Sequence, residues 1–257
     1  MWELYQAQAL VLALTFTRIA GLVLTMPVFS SRAVPVRFRL LLAVLLVLLL
    51  APLHWGPQVD WPRGTAELVV IFFREAVVGT TLGLGIAVLL TGMQLAGQLL
   101  GQLSGLSLAE VVDPTWNVPL PACARLLDLL AVTVFLLLGG HRQLLSALLQ
   151  TFQWMPPGRA CPASSAMTAL EQVLAQSFAL GLRAAAPMLA ALLVATLVLG
   201  FVSRLAAPLN ALSLGLGINF TLLLATLSVS LGAMAWLLQD RFEATLELLL
   251  ETLRGSA

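Results

Sequence analysis

The chain contains two histidines and two cysteines, residue types that often bind transition metals or act as nucleophiles. Neither His54 nor His141 lies at ligand spacing from a cysteine, an aspartate or a glutamate on a shared helix. Cys123 and Cys161 are too few for a zinc site or a disulfide framework. We therefore expect no metal site and no cofactor.

Ser104 is a further candidate nucleophile, in the segment Gln102-Leu103-Ser104-Gly105. This segment approaches the motif of intramembrane serine proteases, but Gln102 stands where those enzymes need glycine. All 13 basic residues are arginine, so the chemistry of lysine bases, Schiff bases and phosphate-loop lysines is excluded. We expect a protein that catalyses no reaction.

The composition is that of a membrane protein. Of 257 residues, 60% are hydrophobic and only 10% are charged, whereas an average soluble domain is about half apolar and about a quarter charged. So little charge cannot cover the surface of a soluble globule. The net charge of +1 gives no electrostatic footprint for nucleic acid.

Six apolar segments divide the chain, near residues 8–29, 38–53, 67–105, 126–149, 173–202 and 209–238. Their continuous runs of leucine and alanine lack the period-two alternation of strands. One membrane crossing needs about 20 apolar residues, so 38–53 is short and the run 205–239 is too long. We predict an all-α membrane protein, one integral-membrane domain over residues 1–257, with several broken or hairpin-like segments that pack into a multisubunit assembly.

Glycines recur at steps of four residues between positions 79 and 105. In a helix this spacing puts them on one face, where another backbone can approach closely. The set is Gly79, Gly83, Gly97, Gly101 and Gly105. The pattern fits packing within the chain and contact with a partner subunit equally well.

Five ionisable residues lie in or beside apolar runs: Arg18, Arg74, Glu75, Asp128 and Arg204. Charges in such places are costly and usually face protein or water. We expect structural pairing between segments, with Arg18, Glu75 and Arg204 as the main structural charges. Arg74 and Glu75 are adjacent, so on a helix they point about 100° apart and are poorly placed to pair.

Two proline-rich breaks interrupt the apolar pattern. The segment 110–121 contains Asp113-Pro114, Pro119 and Pro121, which prevent a continuous helix; it is either a surface connector or a re-entrant element. The segment Met155-Pro156-Pro157-Gly158 is predicted to be a simple surface turn.

The C-terminal segment 240–254 is predicted to be an amphipathic helix. Its apolar face consists of Phe242, Leu246, Leu249, Leu250 and Leu253, and its acidic stripe of Glu243, Glu247 and Glu251. Interfacial anchors usually carry Lys or Arg on the polar face. We therefore expect this helix to pack on protein.

Several short strings follow one another in a fixed order along the chain. They are Arg18 with 26–37, Glu75 with Gly79 and Gly83, 94–101 with 105–107, Asp113-Pro114, Phe135 with Gly140-His141, and 203–210. Together they resemble the FliR family of flagellar biosynthesis proteins and its virulence-secretion relatives. The ordered set covers nearly the whole chain.

The resemblance implies a subunit of the type III export gate in the bacterial inner membrane, at the flagellar basal body. FliR-like subunits assemble there with FliP-like and FliQ-like subunits, near FlhB-like and FlhA-like proteins, and unfolded flagellar subunits pass outward. The 106–121 segment looks like the family's gate loop, with Leu106, Asp113, Pro114, Asn117 and Pro119 as candidate gate residues. The remaining expected partner is membrane lipid, and no nucleic acid is expected.

Two alternatives remain. The chain could serve the export gate of a virulence type III secretion system, which gene neighbourhood would distinguish. It could also be a secondary transporter of a small solute. A transporter predicts inverted repeats and a polar site at the membrane midplane, and the sequence shows no internal repeat and no convergent polar cluster.

Overall fold

A computed structural model describes residues 2–30, 34–54, 64–106, 121–159, 163–205 and 211–255. These residues are almost entirely helical, and none of them lies in a strand. The predicted all-α class is therefore confirmed. The continuous apolar runs form helices because a helix satisfies every backbone hydrogen bond within its own segment, as a lipid environment requires.

Eight α-helices and one 3₁₀ turn are found in the described ranges. They are α1 Trp2–Thr25, α2 Pro27–Ser30, α3 Val36–Leu50, the 3₁₀ turn Ala51–His54, α4 Thr65–Ser104, α5 Ala122–Leu137, α6 Gly140–Trp154, α7 Ala163–Leu205 and α8 Ala211–Arg254.

Four of these helices, α1, α4, α7 and α8, are long and apolar enough to cross a membrane. The predicted segment 126–149 is two helices, α5 and α6, which together give a fifth possible span. It breaks at Gly139, whose φ of 69° is a left-handed conformation that glycine adopts at little cost. The predicted segment 38–53 is α3, with 15 residues. The six apolar segments therefore correspond to four or five spans in the described part of the chain.

Three helices are much longer than one crossing. The helices α4, α7 and α8 have 40, 43 and 44 residues, or about 60 to 66 Å at 1.5 Å per residue. The hydrocarbon core of a bilayer is about 30 Å thick. The predicted amphipathic segment 240–254 is the end of α8, because the helix continues without a break through Asp240 and Arg241.

The helices group into two compact units. Unit 1 comprises the described residues of Met1–Val88, Gly139–Ala175 and Phe242–Ala257, and unit 2 those of Leu89–Leu138 and Gln176–Arg241. The fully buried side chains of unit 1 include Leu14, Leu22, Leu82, Phe152 and Leu249. Those of unit 2 include Met93, Leu100, Phe135, Met188 and Leu192.

In unit 1, glycines let α1 and α4 approach at backbone distance. A Cβ on Gly79 would overlap the carbonyl oxygen of Arg18, and one on Gly83 would lie 2.9 Å from the carbonyl oxygen of Leu22. On the other helix, a Cβ on Gly21 would lie 3.0 Å from the carbonyl oxygen of Ala76. Helices in lipid associate through such close packing.

In unit 2, glycines bring backbones close together in two places. A Cβ on Gly97 of α4 would lie 2.6 Å from the carbonyl oxygen of Cys123 at the start of α5. A Cβ on Gly92 would overlap the carbonyl oxygen of Ser177 in α7, and one on Gly181 would overlap the carbonyl oxygen of Gly92. The glycines at 79, 83 and 97 therefore face the backbone of the chain itself.

Replacing Gly97 by alanine should destabilise the protein by about 1 to 3 kcal/mol, because the added methyl group overpacks a backbone contact that cannot yield. Gly232→Ala is the matched control, since no described atom beyond the adjoining turns of its own helix lies within 4 Å of its Cβ position. That change should leave stability unchanged or raise it by about 1 kcal/mol through helix propensity. Thermal unfolding of the purified chain in detergent measures both. Equal midpoints for the two variants would contradict the packing.

Candidate functional site

A buried ion pair lies at the centre of unit 1. Arg18 in α1 and Glu75 in α4 are 57 residues apart, and Arg18 Nε donates to Glu75 Oε2 at 2.6 Å. Both side chains are 0% exposed. Within the described residues they are the only buried charged side chains. The sequence predicts pairing of charges between segments without naming the partners, and the structure pairs Arg18 with Glu75, not Glu75 with its neighbour Arg74.

The pair is also hydrogen-bonded to the end of α6 and to the turn that follows it, while Arg18 Nη2 has no hydrogen-bond partner among the described residues. Glu75 Oε1 accepts a hydrogen bond from the backbone N–H of Gly158 at 2.8 Å. Arg18 Nη1 donates to the carbonyl oxygen of Met155 at 3.0 Å and to the hydroxyl of Thr151 at 3.3 Å. The guanidinium carbon of Arg18 lies 4.4 Å from the ring centroid of Phe152, within the range of a cation–π contact.

The local sequence explains how the two charges reach each other. Gly79 lies one helical turn beyond Glu75, and it packs on the carbonyl group of Arg18. A side chain at position 79 would push α1 and α4 apart just where the carboxylate must meet the guanidinium. We infer that the four-residue glycine step serves to bring this ion pair together.

The arrangement is suited to bracing helices. Both oxygens of Glu75 accept hydrogen bonds from N–H groups, and both residues are closed to solvent. A charge buried with its partner is held firmly, because separation would leave each charge desolvated. In the described part of the chain, no group of three or more His, Cys, Asp or Glu could hold a metal ion.

The turn after α6 differs from its prediction as a simple surface turn. Met155 is 1% exposed and Pro157 is buried, while Gly158 has a φ of 90°. The polar backbone of this turn supplies the carbonyl and N–H groups that complete the ion pair. Sequence patterning missed the contribution of Thr151, Met155 and Gly158, since proline and glycine indicate a turn but not what the turn packs against.

The other charges beside apolar runs have different surroundings. Asp128 in α5 accepts a hydrogen bond from Gln94 Nε2 in α4 at 2.7 Å. Arg74 is exposed. Arg204 is exposed in the last turn of α7, where a cation interacts favourably with the helix dipole. Its predicted role as a structural charge stays a prediction.

Of the candidate gate loop, residues 106–121, the structure describes the two ends, Leu106 and Pro121. Gly105 follows the last residue of α4 with a φ of 79°, and its N–H donates to the carbonyl of Gln102 at 3.3 Å. It therefore ends the helix in the left-handed conformation common at helix C-termini, instead of continuing the glycine face. Leu106 comes next, whereas the other candidate gate residues lie outside the described residues: Asp113, Pro114, Asn117 and Pro119.

Gly101 and Gly105 contact other residues of their own unit, unit 2. A Cβ on Gly101 would meet Cys123 Cβ at 3.7 Å, an ordinary contact, and one on Gly105 would lie 2.8 Å from a methyl group of Leu216. The whole predicted glycine set thus lies against the chain itself, while its contact with a partner stays untested.

The C-terminal end of α8 buries its apolar face in unit 1. Phe242 is 2% exposed, and Leu249 and Leu253 are 0% exposed, with Leu249 beside Gly85. The three glutamates of the acidic stripe are exposed. The guanidinium carbon of Arg254 lies 5.2 Å from the ring centroid of Trp154. The expected packing of this segment on protein is found within the chain.

Removing one partner of the buried pair should be costly. Glu75→Ala leaves Arg18 buried without its counter-ion, and we expect a loss of about 3 to 5 kcal/mol of stability. The matched control is Arg74→Ala, an exposed arginine on the preceding residue, which should change stability by less than about 1 kcal/mol. Thermal unfolding in detergent measures the difference.

A second variant separates the charge from the packing. Arg18→Met combined with Glu75→Leu removes both charges and keeps the volume nearly constant, so it should recover most of the stability that Glu75→Ala loses. If Glu75→Ala proved as stable as Arg74→Ala, the ion pair would not stabilise the packing of α1 on α4.

Comparison with known proteins finds relatives that match along almost the full chain. The family described as bacterial export proteins, family 1, matches residues 9–245. The chain is 30% identical to the flagellar biosynthetic protein FliR of Caulobacter vibrioides over 241 residues, which cover 94% of this chain and 96% of that protein. It is 32% identical to FliR of Pectobacterium carotovorum over 238 residues, with 93% and 90% covered.

A third relative, the flagellar biosynthetic protein FliR of Escherichia coli, is 32% identical over 204 residues, which cover 79% of this chain and 77% of that protein. The family match covers more than nine tenths of the chain, and it includes both members of the buried ion pair. This chain belongs to the FliR family of bacterial export proteins.

Proposed function

We propose that the chain is a structural and gating subunit of the bacterial flagellar type III protein export channel. Its place would be the inner membrane at the flagellar basal body, where it would be needed for export of flagellar subunits and for flagellum assembly. Membership of the FliR family supports the flagellar role. The distribution of exposed apolar side chains supports the role of a subunit within a larger assembly.

The observation that carries the proposal is the exposed face of α7. Large apolar side chains are exposed along most of this helix: Met167, Leu174, Phe178, Leu182, Leu193, Val194, Leu197, Val198, Phe201 and Val202. From the first to the last of them is about 52 Å along the helix at 1.5 Å per residue.

This exposed apolar run is longer, measured along the helix, than a bilayer normally covers. Transmembrane helices tilt by up to about 40°, and at that angle a hydrocarbon core of about 30 Å covers about 39 Å of helix. The remaining exposed apolar surface, more than two helical turns, would contact water unless other protein covers it. A large apolar surface that faces water usually marks an interaction site.

Open glycines support partner contacts on α7 and α8. Among the described residues, no atom outside the adjoining turns of the same helix lies within 4 Å of the Cβ positions of Gly200, Gly217 and Gly232. Glycine in a helix costs about 1 kcal/mol relative to alanine, and at these three positions no described helix packs closely in return. They would allow the backbone of a FliP-like or FliQ-like subunit to approach, with FlhB-like and FlhA-like proteins nearby.

Gating is assigned to the segment 106–121. Its support is the left-handed end of α4 at Gly105, which turns the chain out of the helix, and the proline-rich sequence that follows. In the proposal this segment closes the export channel until an unfolded flagellar subunit passes. The chain itself would catalyse no reaction.

The alternatives make different demands. A virulence type III secretion gate would use the same architecture and differ in its substrates. A small-solute transporter needs polar groups open to the solute near the membrane midplane. The buried charges of the described residues, Arg18 and Glu75, are bonded to each other and to neighbouring groups, which disfavours a solute site there.

Deleting the gene should abolish filament assembly and swimming, and export of flagellin into the medium should stop, because the channel lacks a subunit. Electron microscopy, swimming assays and analysis of the culture supernatant measure this result. A plasmid copy should restore all three. A normally flagellated deletion strain would refute the flagellar role, and loss of virulence-protein export in that strain would instead support the alternative gate.

Shortening the 106–121 segment by four residues should make the membrane leaky to small ions, because a gate that cannot reach across the channel leaves it open. Conductance of membranes that contain the chain with its partner subunits measures the leak. The unaltered chain with the same partner subunits serves as the control. Unchanged conductance would count against a gate.

A further inference from the structure

Helix α3 leaves most of its perimeter uncovered. It buries a narrow stripe of Ala43, Val47 and Leu50, and it packs on α1 within unit 1. Leu42 and Leu46 beside this stripe are half-buried. Eight large apolar side chains are exposed: Val36, Phe38, Leu40, Leu41, Val44, Leu45, Leu48 and Leu49. The surface of this helix is therefore apolar nearly all round.

The residue types on the exposed face of α3 favour lipid over another protein as its neighbour. Helix surfaces that contact other helices in membranes are enriched in small residues, Ser and Thr. The exposed side of α8 has residues of this kind, namely Gly217, Thr221 and Ser228. From residue 40 to residue 53 the chain has no polar side chain and no glycine. Bulky aliphatic side chains without small residues give helices no surface for close approach, but they are compatible with acyl chains.

An arginine marks one end of the same face. Arg37 is exposed in the first turn of α3, directly before the apolar run. A cation at a helix N-terminus opposes the helix dipole, so its position there gains nothing from the helix itself. Its charge is complementary to the phosphate of a phospholipid headgroup, and anionic leaflets attract basic residues beside membrane segments.

We propose that α3 faces phospholipid, with acyl chains along its exposed aliphatic face and a headgroup phosphate at Arg37. The apolar run is short: residues 40–50 of the α-helix and 51–53 of the 3₁₀ turn span about 22 Å. A bilayer of about 30 Å accommodates a short segment by local thinning. This contact does not depend on the export role, because it requires only that the chain is in a membrane.

Site-specific photo-crosslinking in native membranes tests the face. A benzophenone side chain at Leu45 or at Leu49, which are 56% and 68% exposed, should form adducts with phospholipid. At Val47, which is 2% exposed, it should react within the chain. Protein adducts at positions 45 and 49, in place of lipid adducts, would overturn the proposal in favour of a partner subunit.

The headgroup contact has its own test on the full chain purified with its partners. In nanodiscs of phosphatidylglycerol and phosphatidylcholine, Arg37→Gln should lower the retained phosphatidylglycerol about fivefold, the effect of one basic residue at an anionic surface. Arg37→Lys keeps the charge and should retain the lipid. Equal phosphatidylglycerol retention by Arg37→Gln and the unaltered protein, measured by native mass spectrometry, would contradict a headgroup at this position.

Discussion

Three helices have 40 to 44 residues and are about 60 to 66 Å long, whereas the hydrocarbon core of a bilayer is only about 30 Å thick. The packing of the protein depends on this difference in length. Apolar helix surface that lipid does not reach must be buried within the chain or covered by another protein. Unit 1 and unit 2 each bury part of it, through glycines that bring backbones together and through fully buried aliphatic side chains. In the proposed assembly, other subunits cover part of the exposed apolar face of α7.

The buried ion pair determines which helices of unit 1 pack together. In lipid, apolar surface alone does not specify which helices meet, because acyl chains are as apolar as leucine. Arg18 and Glu75 specify the arrangement in unit 1, since each would be left as an isolated buried charge in any other pairing. The pair also holds the turn after α6 through Met155 and Gly158. Specificity thus comes from a few polar contacts, and tight contact comes from glycine.

Much of the architecture could be predicted from the sequence, because continuous apolar runs in a membrane protein leave the helix as the available structure. The positions of Arg18 and Glu75 in such runs indicated structural charges. Their pairing across 57 residues could not be deduced, because sequence spacing informs only about neighbours on one helix. The left-handed conformations of Gly105 and Gly139 were also missed, since a glycine in an apolar run is equally compatible with helix packing and with a helix end. The burial of the 155–158 turn depends on tertiary contacts that no local pattern encodes.

In the proposed assembly, other subunits cover the part of α7 that exceeds a bilayer. Electron cryomicroscopy of the assembly, purified from membranes into lipid nanodiscs, would show the neighbours of this helix. At most about 40 Å of the exposed face of α7 should lie in the lipid belt, and neighbouring subunits should cover the rest, including the surface around Gly200. If the whole exposed face of α7 lay in lipid or in water, with no subunit against it, the proposed contact with other subunits would be refuted.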